Sequence, residues 1–377
     1  MSGSIPFGEL RAWMFDALAL WARLGVDDQG GFREDLALDG WPSDTPYVRT
    51  RVICRQIYSF AQGFLLGWSP GAALVEAGCA YLEAKARLPN GGWAKRLSRE
   101  GKILDPAPDL YDLGFVLFAF AWRYRISGDP RAQRLAHETL DYVKAELVAP
   151  QGGYWPMLPH RGMRLQNPHM HLTEACIAAY EAFGDARFLA EAQSLVALFR
   201  ARFFDGRTLG ECFGEDWARQ SAGDGGVLEP GHHFEWAWIL AQYARIAGAE
   251  VAPEAAALVA FAEAHGVDPV SGEVFGAVRE DGSVVSRSAR SWAQTERIKG
   301  HLGLFELTGA DPTAALASTA RLLLDRYLAV TPRGLCIDQF DDQGRPAAQI
   351  VPGSLLYHCV LAFSETLRLE PKLKTVR

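Results

Sequence analysis

Residues able to move protons gather in six short segments of an otherwise apolar chain. Arg51 and Arg55 follow Pro46, and Asp109, Tyr111 and Asp112 follow Pro108. His169, His171 and Glu174 follow Pro168, and His232, His233 and Glu235 follow Pro230. Trp292, Gln294 and Glu296 stand where a further proline would continue the series, and His358 follows Pro352. A histidine near a helix N-terminus feels a positive dipole, which disfavours the imidazolium and leaves a neutral base near neutral pH. Two such bases on opposite walls, His232 and His358, suit removal and return of a proton on a carbon beside a carbonyl. Glu235, one helical turn from His232, is placed to orient that ring or to move protons between oxygens. Arg55 can stabilise an enediolate oxygen. His137, His160, His265 and His301 read as ordinary core or surface residues, His169 and His233 as supports beside better candidates, and Tyr111 as a binding or packing residue. Metal ligation is the competing reading of His169-x-His171 and His232-His233, but neither pair forms the H-E-x-x-H ligand set. Catalysis without a metal is the reading taken.

The elements that must position these residues repeat. Gly31, Gly92, Gly153, Gly210, Gly272 and Gly334 lie in similar turns, in steps of 61, 61, 57, 62 and 62 residues. Between turns run two amphipathic stretches, such as LYDLGFVLFAFAWRYRISG and PRAQRLAHETLDYVKAEL, the first nearly apolar all round and the second one-sided. The glycine closing the first stretch is a C-cap signal. Proline before a helix suits the first helical position, and Asn167 before Pro168 reads as an N-cap. Six helix pairs, about twelve helices, predict an all-α (α/α)6 toroid, with short hairpins in the loops and residues 1–377 forming one domain. An open solenoid is the alternative. Closure gathers the N-termini of six inner helices, and the segments above, at one mouth. Trp41, Trp93, Trp155, Trp217 and Trp292 are expected in or near the loops around that mouth, where aromatic faces beside charged groups suit a sugar. Arg161 and Arg164 also fall near it and read as a solvated loop rather than a phosphate or sulfonate site.

The 377 residues carry a net charge of −7, with 49% hydrophobic and 22% charged residues. That balance leaves no basic footprint for nucleic acid or an anionic membrane, and no apolar run approaches a membrane span. The first twenty residues read as a helix rather than a signal peptide. Six cysteines without a C-x-x-C pair read as reduced core residues of a cytoplasmic protein. Neither G-x-x-x-x-G-K-[ST] nor G-x-G-x-x-G occurs, so no nucleotide cofactor is expected; G-x-S-x-G is absent too.

RQIYSF at 55–60, DLYDLGFVLFA at 109–119, NPHMHLTEA at 167–175, EPGHHFEWAWIL at 229–240, WAQTERIKG at 292–300 and LLYHCVLAF at 355–363 together resemble the N-acylglucosamine 2-epimerase superfamily. That group includes mannose isomerases, sulfoquinovose isomerase and cellobiose 2-epimerases. The resemblance spans the chain and implies an (α/α)6 barrel acting without metal through a cis-enediol of the open-chain sugar. It implies His232 and His358 as the acid/base pair, Glu235 as the carboxylate that assists proton exchange, and His171 as the residue for ring opening or the anomeric oxygen. It also implies Arg55, with Arg51 beside it, on the substrate oxygens. Asp109, Tyr111, His169, Trp292 and Glu296 are carried as further substrate-binding residues. The segments resemble most the mannose isomerase branch, so D-mannose and D-fructose are the expected pair, with D-lyxose and D-xylulose as possible substrates and a small sugar as the only expected partner of a monomer or homodimer. A 2-epimerase, or an isomerase of mannose 6-phosphate or sulfoquinovose, shares the intermediate. Two other classes stay open: a glycoside hydrolase using Asp109 or Asp112 with Glu235 or Glu296, and a non-catalytic sugar-binding scaffold.

Overall fold

Glycine and aspartate set the elbows of the repeat. In the computed structural model, which describes residues 4–27, 30–160, 162–220 and 226–376, the inner helices are α2 (Thr50–Leu65), α4 (Leu110–Ser127), α6 (Gln166–Phe183), α8 (Pro230–Ala247), α10 (Ser291–Thr308) and α12 (Ser354–Arg368). Their outer partners are α1 (Phe7–Leu24), α3 (Gly71–Lys85), α5 (Pro130–Glu146), α7 (Ala186–Leu198), α9 (Ala252–Gly266) and α11 (Thr313–Leu322). A short α13 (Glu370–Leu373) follows. Gly128, Gly184, Gly248 and Gly309 end α4, α6, α8 and α10 in the left-handed conformation, where a Cβ would be strained. Asp129 and Asp185 then cap α5 and α7 by accepting from Arg131 N and Arg187 N, so the chain reverses within two residues.

The inner helices pack in the order α2, α4, α6, α8, α10, α12 and back to α2, which closes the ring. The apolar contrast between the two sets has the expected consequence. Every residue of α8 from Pro230 to Tyr243 is buried, whereas α5 buries one stripe formed by Ala132, Leu135, Ala136, Thr139, Leu140, Tyr142 and Val143. The seam is clasped by antiparallel pairing of Asp35–Ala37 with Ile350–Pro352 and by an Arg333–Asp16 ion pair at 2.7 Å. The turns predicted from glycine close as bridges between Val26 and Phe32, Arg87 and Trp93, Val148 and Tyr154, Phe204 and Leu209, and Val267 and Val274. No helix among the described residues is long and apolar enough to cross a membrane.

Two local expectations are corrected. Of the proline markers only Pro230 takes the first helical position; Pro168 lies inside α6, and Pro46, Pro108 and Pro352 precede their helices. Asn167 is likewise the second residue of α6, not its cap, which frees its amide for the cavity described next.

Candidate active site

The N-terminal turns of the inner helices surround a polar cavity of about 190 Å³. Arg55, Tyr111, His171, His232, Glu235, Trp292 and His358 all line it, together with Asn167, Glu229, Arg290 and Ser354. It opens into a wider vestibule of about 540 Å³ that shares Arg55, Tyr111, Asn167 and Arg290 and adds Arg49, Arg51 and Asp109. Trp292 stands between the two principal histidines, its ring centroid 5.2 Å from that of His232 and 5.8 Å from that of His358. Gly231 makes room for it: a Cβ there would lie 2.6 Å from the indole.

Each imidazole is held through Nδ1. His358 Nδ1 lies 2.8 Å from Glu296 Oε1, and the other oxygen of Glu296 lies 2.6 Å from Lys299 Nζ. Lys299 is wholly buried and also approaches Glu235 at 3.7 Å. Burial opposes its charge, but Glu296 and Glu235 outweigh the penalty and raise its pKa. His358 itself is pushed well below the usual histidine value, first by burial and then by the Arg55 and Lys299 charges. It is therefore neutral, with Nδ1–H donated to Glu296 and its Nε2 lone pair available.

His232 behaves differently. Its Nδ1 lies 3.0 and 3.1 Å from the two oxygens of Glu211, and Nε2 is 3.2 Å from the Asn167 amide, which accepts from the protonated ring when the amide is turned to present its oxygen. Burial alone would lower its pKa; Glu211 and then Glu229 overcome that and raise it to about 10. The expected neutral base at this position is thus a cation. The helix dipole is worth less here than two nearby carboxylates. Glu235 is also not the group that orients this ring; Glu211 does so, while Glu235 faces Lys299.

His171 donates from Nδ1 to Glu174 at 3.1 Å and packs edge-on to Tyr111. Burial pushes its pKa well below the usual value. Arg55 donates to the Tyr111 hydroxyl at 2.8 Å and stacks on Phe115. Its Nε has no hydrogen-bond partner among the described residues. Arg51 is tied to Asp112 at 2.8 Å. Asp109 caps α4 through Tyr111 N and Asp112 N and pairs with Lys95 at 2.8 Å, so it shapes the vestibule as a cap.

His169 does not reach the cavity. Its Nδ1 is 2.8 Å from Leu165 O, and its Nε2 accepts from Tyr154 N at 2.9 Å. His233 repeats the arrangement with Glu229 O and Leu209 N, and Gln294 does so with Arg290 O and Val274 N. Each stands fourth in its helix and pins the preceding hairpin to it. Part of the histidine clustering in the sequence is therefore this clip. Of the five tryptophans expected near the mouth, Trp292 alone lines the cavity. Trp93 and Trp217 are buried, Trp155 stacks with His160, and Trp41 is exposed. Arg164 is sandwiched between Trp155 and Trp217 and donates to two backbone carbonyls; Arg161 lies outside the described residues.

Three carboxylate–histidine groups are close enough to share a cation: His171, Glu174 and Glu235; Glu211, Glu229 and His232; and Glu235, Glu296 and His358. The Lys299 ammonium already sits on Glu296 and approaches Glu235, and Tyr357 donates to Glu174, so every carboxylate of two of these sets already has a partner within the protein. The third supplies the charge partners of His232. Glu211, Arg290 and Lys299 carry much of this electrostatic pattern and were not singled out from the sequence.

Buried histidines and carboxylates facing one polar cup suit proton transfer on a small substrate, and the comparisons with known proteins lead to sugar isomerases and epimerases. A model of the family N-acylglucosamine 2-epimerase (GlcNAc 2-epimerase) matches residues 30–362, and the chain belongs to that family. It is 34% identical over 373 residues to a mannose-6-phosphate isomerase of Rhizobium meliloti (strain 1021), covering 95% of this chain and 96% of the relative. It is 29% identical over 303 residues to a D-mannose isomerase of Thermobifida fusca, covering 72% of each. A crystal structure of D-mannose isomerase superposes with a TM-score of 0.87 at 22% identity, over 96% of this chain and 97% of the other, which establishes the shared toroid. The protein is an isomerase.

Proposed function

We propose that the protein interconverts an aldose and its ketose, D-mannose and D-fructose, through a cis-enediol without a metal. The observation that carries this reading is that His232 and His358 line one cavity, each with Nδ1 against its own carboxylate, and the pKa of the first is raised while that of the second is lowered. His171, neutral and with Nδ1 committed to Glu174, offers Nε2 to the anomeric hydroxyl and promotes ring opening. His358 takes the C2 proton while protonated His232 gives its proton to the carbonyl oxygen on C1, which yields the neutral enediol. His232 then recovers a proton from the C2 hydroxyl as His358 delivers its proton to C1, and both histidines are restored. Arg55 bears on the oxygens as charge develops, and Trp292 supplies an apolar face.

The hydrolase reading needs two carboxyl groups free to work. Asp109 is a helix cap, Asp112 is bound to Arg51, and Glu296 is bound to Lys299 and His358, so the geometry favours the isomerase. Incubation with mannose in deuterium oxide should give fructose labelled at C1 in the fraction of turnovers in which the proton on His358 exchanges with solvent before its delivery. Label at C2 of glucose would indicate epimerisation instead, and monosaccharide release from a disaccharide with no labelling would defeat both.

A second reading, a phosphorylated aldose, is favoured by Arg290, which lines both the cavity and the vestibule and whose guanidinium, among the described residues, bonds to Asp338 alone, at 3.2 and 3.3 Å. The relative named mannose-6-phosphate isomerase supports it too. If it holds, kcat/KM for mannose 6-phosphate exceeds that for mannose, and Arg290→Ala removes the preference.

A further inference from the structure

A second cavity lies at the opposite end of the barrel, among the C-terminal halves of the inner helices. Its volume is about 340 Å³, larger than the cup that holds the histidines. Tyr58, Trp122 and Trp238 supply aromatic walls, and Gln62 and Gln242 bring amides to it. Two buried donors on these wall residues, Trp122 Nε1 and Gln242 Nε2, have no hydrogen-bond partner among the described residues. Unpaired buried donors are costly, and a ligand oxygen reached by a small turn of either side chain relieves that cost.

The rim is charged but already balanced. Glu181 pairs with Arg125 at 3.5 Å and with Arg245, while Arg368 is held by Glu306 at 2.7 Å and Glu365 at 2.8 Å. An anionic ligand would have to break these pairs. A neutral molecule with apolar C–H faces and several acceptor oxygens fits the walls without doing so.

We propose that this lower cavity is a second binding site, specific for a small uncharged polyhydroxylated molecule such as a free sugar or sugar alcohol. It is separate from the proton-transfer chemistry but adjoins it. Glu174 belongs to the lower wall and also accepts from His171, which lines the upper cavity, and from Tyr357. A ligand below therefore touches a group that holds an upper-wall imidazole in place.

Fluorotryptophan incorporated in the full chain and read by fluorine NMR separates the two cavities. Trp122 and Trp238 report the lower one and Trp292 the upper, with each resonance assigned by a Trp→Phe variant. D-mannitol, which has no carbonyl to react, is the probe, and inorganic phosphate is the anionic control. Mannitol should shift the Trp122 and Trp238 resonances saturably. Arg55→Ala, in the upper cavity, should leave those isotherms unchanged. Gln242→Leu should weaken the isotherm read at Trp238 by roughly 2- to 12-fold, the loss of one neutral hydrogen bond. Trp122→Phe, also read at Trp238, should weaken it similarly and serves if Gln242→Leu does not fold. Absence of a saturable shift at Trp122 and Trp238 overturns the site. So does a shift that Arg55→Ala abolishes, a response to phosphate in place of mannitol, or an affinity unchanged in the folded variants.

Discussion

On one wall of the cup His232 meets Glu211 and Glu229; on the other His358 meets Glu296, whose second oxygen is taken by Lys299. Both rings sit in the first two turns of inner helices, both are buried, and both present Nδ1 to a carboxylate. Their charges are nonetheless opposite. Among the described residues no lysine or arginine bonds to Glu211, which spends its field on His232 and holds it as a cation. Glu296 carries a buried ammonium on its far oxygen and has its own pKa pushed up by burial and by Glu235, so it orients His358 while burial and the Arg55 and Lys299 charges keep that ring neutral. A carboxylate beside a histidine is thus not enough to predict the ring's state; what matters is the cation on the carboxylate's far side.

The strongest way to break this comparison is to remove the base. His358→Ala is expected to lower sugar C–H exchange by ~10²–10⁴-fold with the helical circular dichroism signal intact. Retention of activity within tenfold would mean that the base lies elsewhere. Next, Lys299→Met strips Glu296 and Glu235 of their shared counterion. Denaturant melts should show a loss of about 3–5 kcal/mol, because a buried charge is left unpaired.

The pH profile sharpens the comparison. With His358 neutral and His232 protonated as the active form, kcat/KM should be flat through neutrality, fall on the acid side as His358 gains a proton, and fall on the alkaline side near the His232 value of about 10. Glu211→Gln should draw the alkaline limb down by about two pH units, at about 1.4 kcal/mol each, and leave the acid limb in place. The stability from the Glu211–His232 pair follows the raised-pKa rule. It is fully present below the ordinary histidine value and is lost as pH rises through about 10. The smallest effect is expected from Gly231→Ala. Its Cβ would displace the Trp292 indole that both walls share, costing about 1 kcal/mol in stability and raising KM more than it lowers kcat.

Much of this arrangement was legible in the chain because the ring is a repeat. The glycine period and the alternation of all-round with one-sided helices located the inner helices. Their first two turns contain His171, His232, Glu235, Trp292 and His358, which the structure brings into one cavity. The charge logic was not legible. Glu211 reaches His232 from a hairpin between helices, a contact with no sequence period, and Arg290 reaches the cup from just before α10. Lys299 reads as one more charge in WAQTERIKG until its complete burial is seen. His169 and His233 were visible as a pattern, yet the pattern belongs to hairpin clips; Gln294 at the same helical position is the signal that separates the two roles.

The clasp between residues 35–37 and 350–352 brings the first and last repeats side by side, joined in the same way as repeats linked by peptide bonds. The ring has a seam but no structural beginning. Joining the two ends through a flexible tether and cutting the gene at an exposed turn such as Glu100–Gly101 would move the start point by more than one repeat without changing which helices are neighbours. The order in which repeats leave the ribosome could then be varied while the finished circle stays the same.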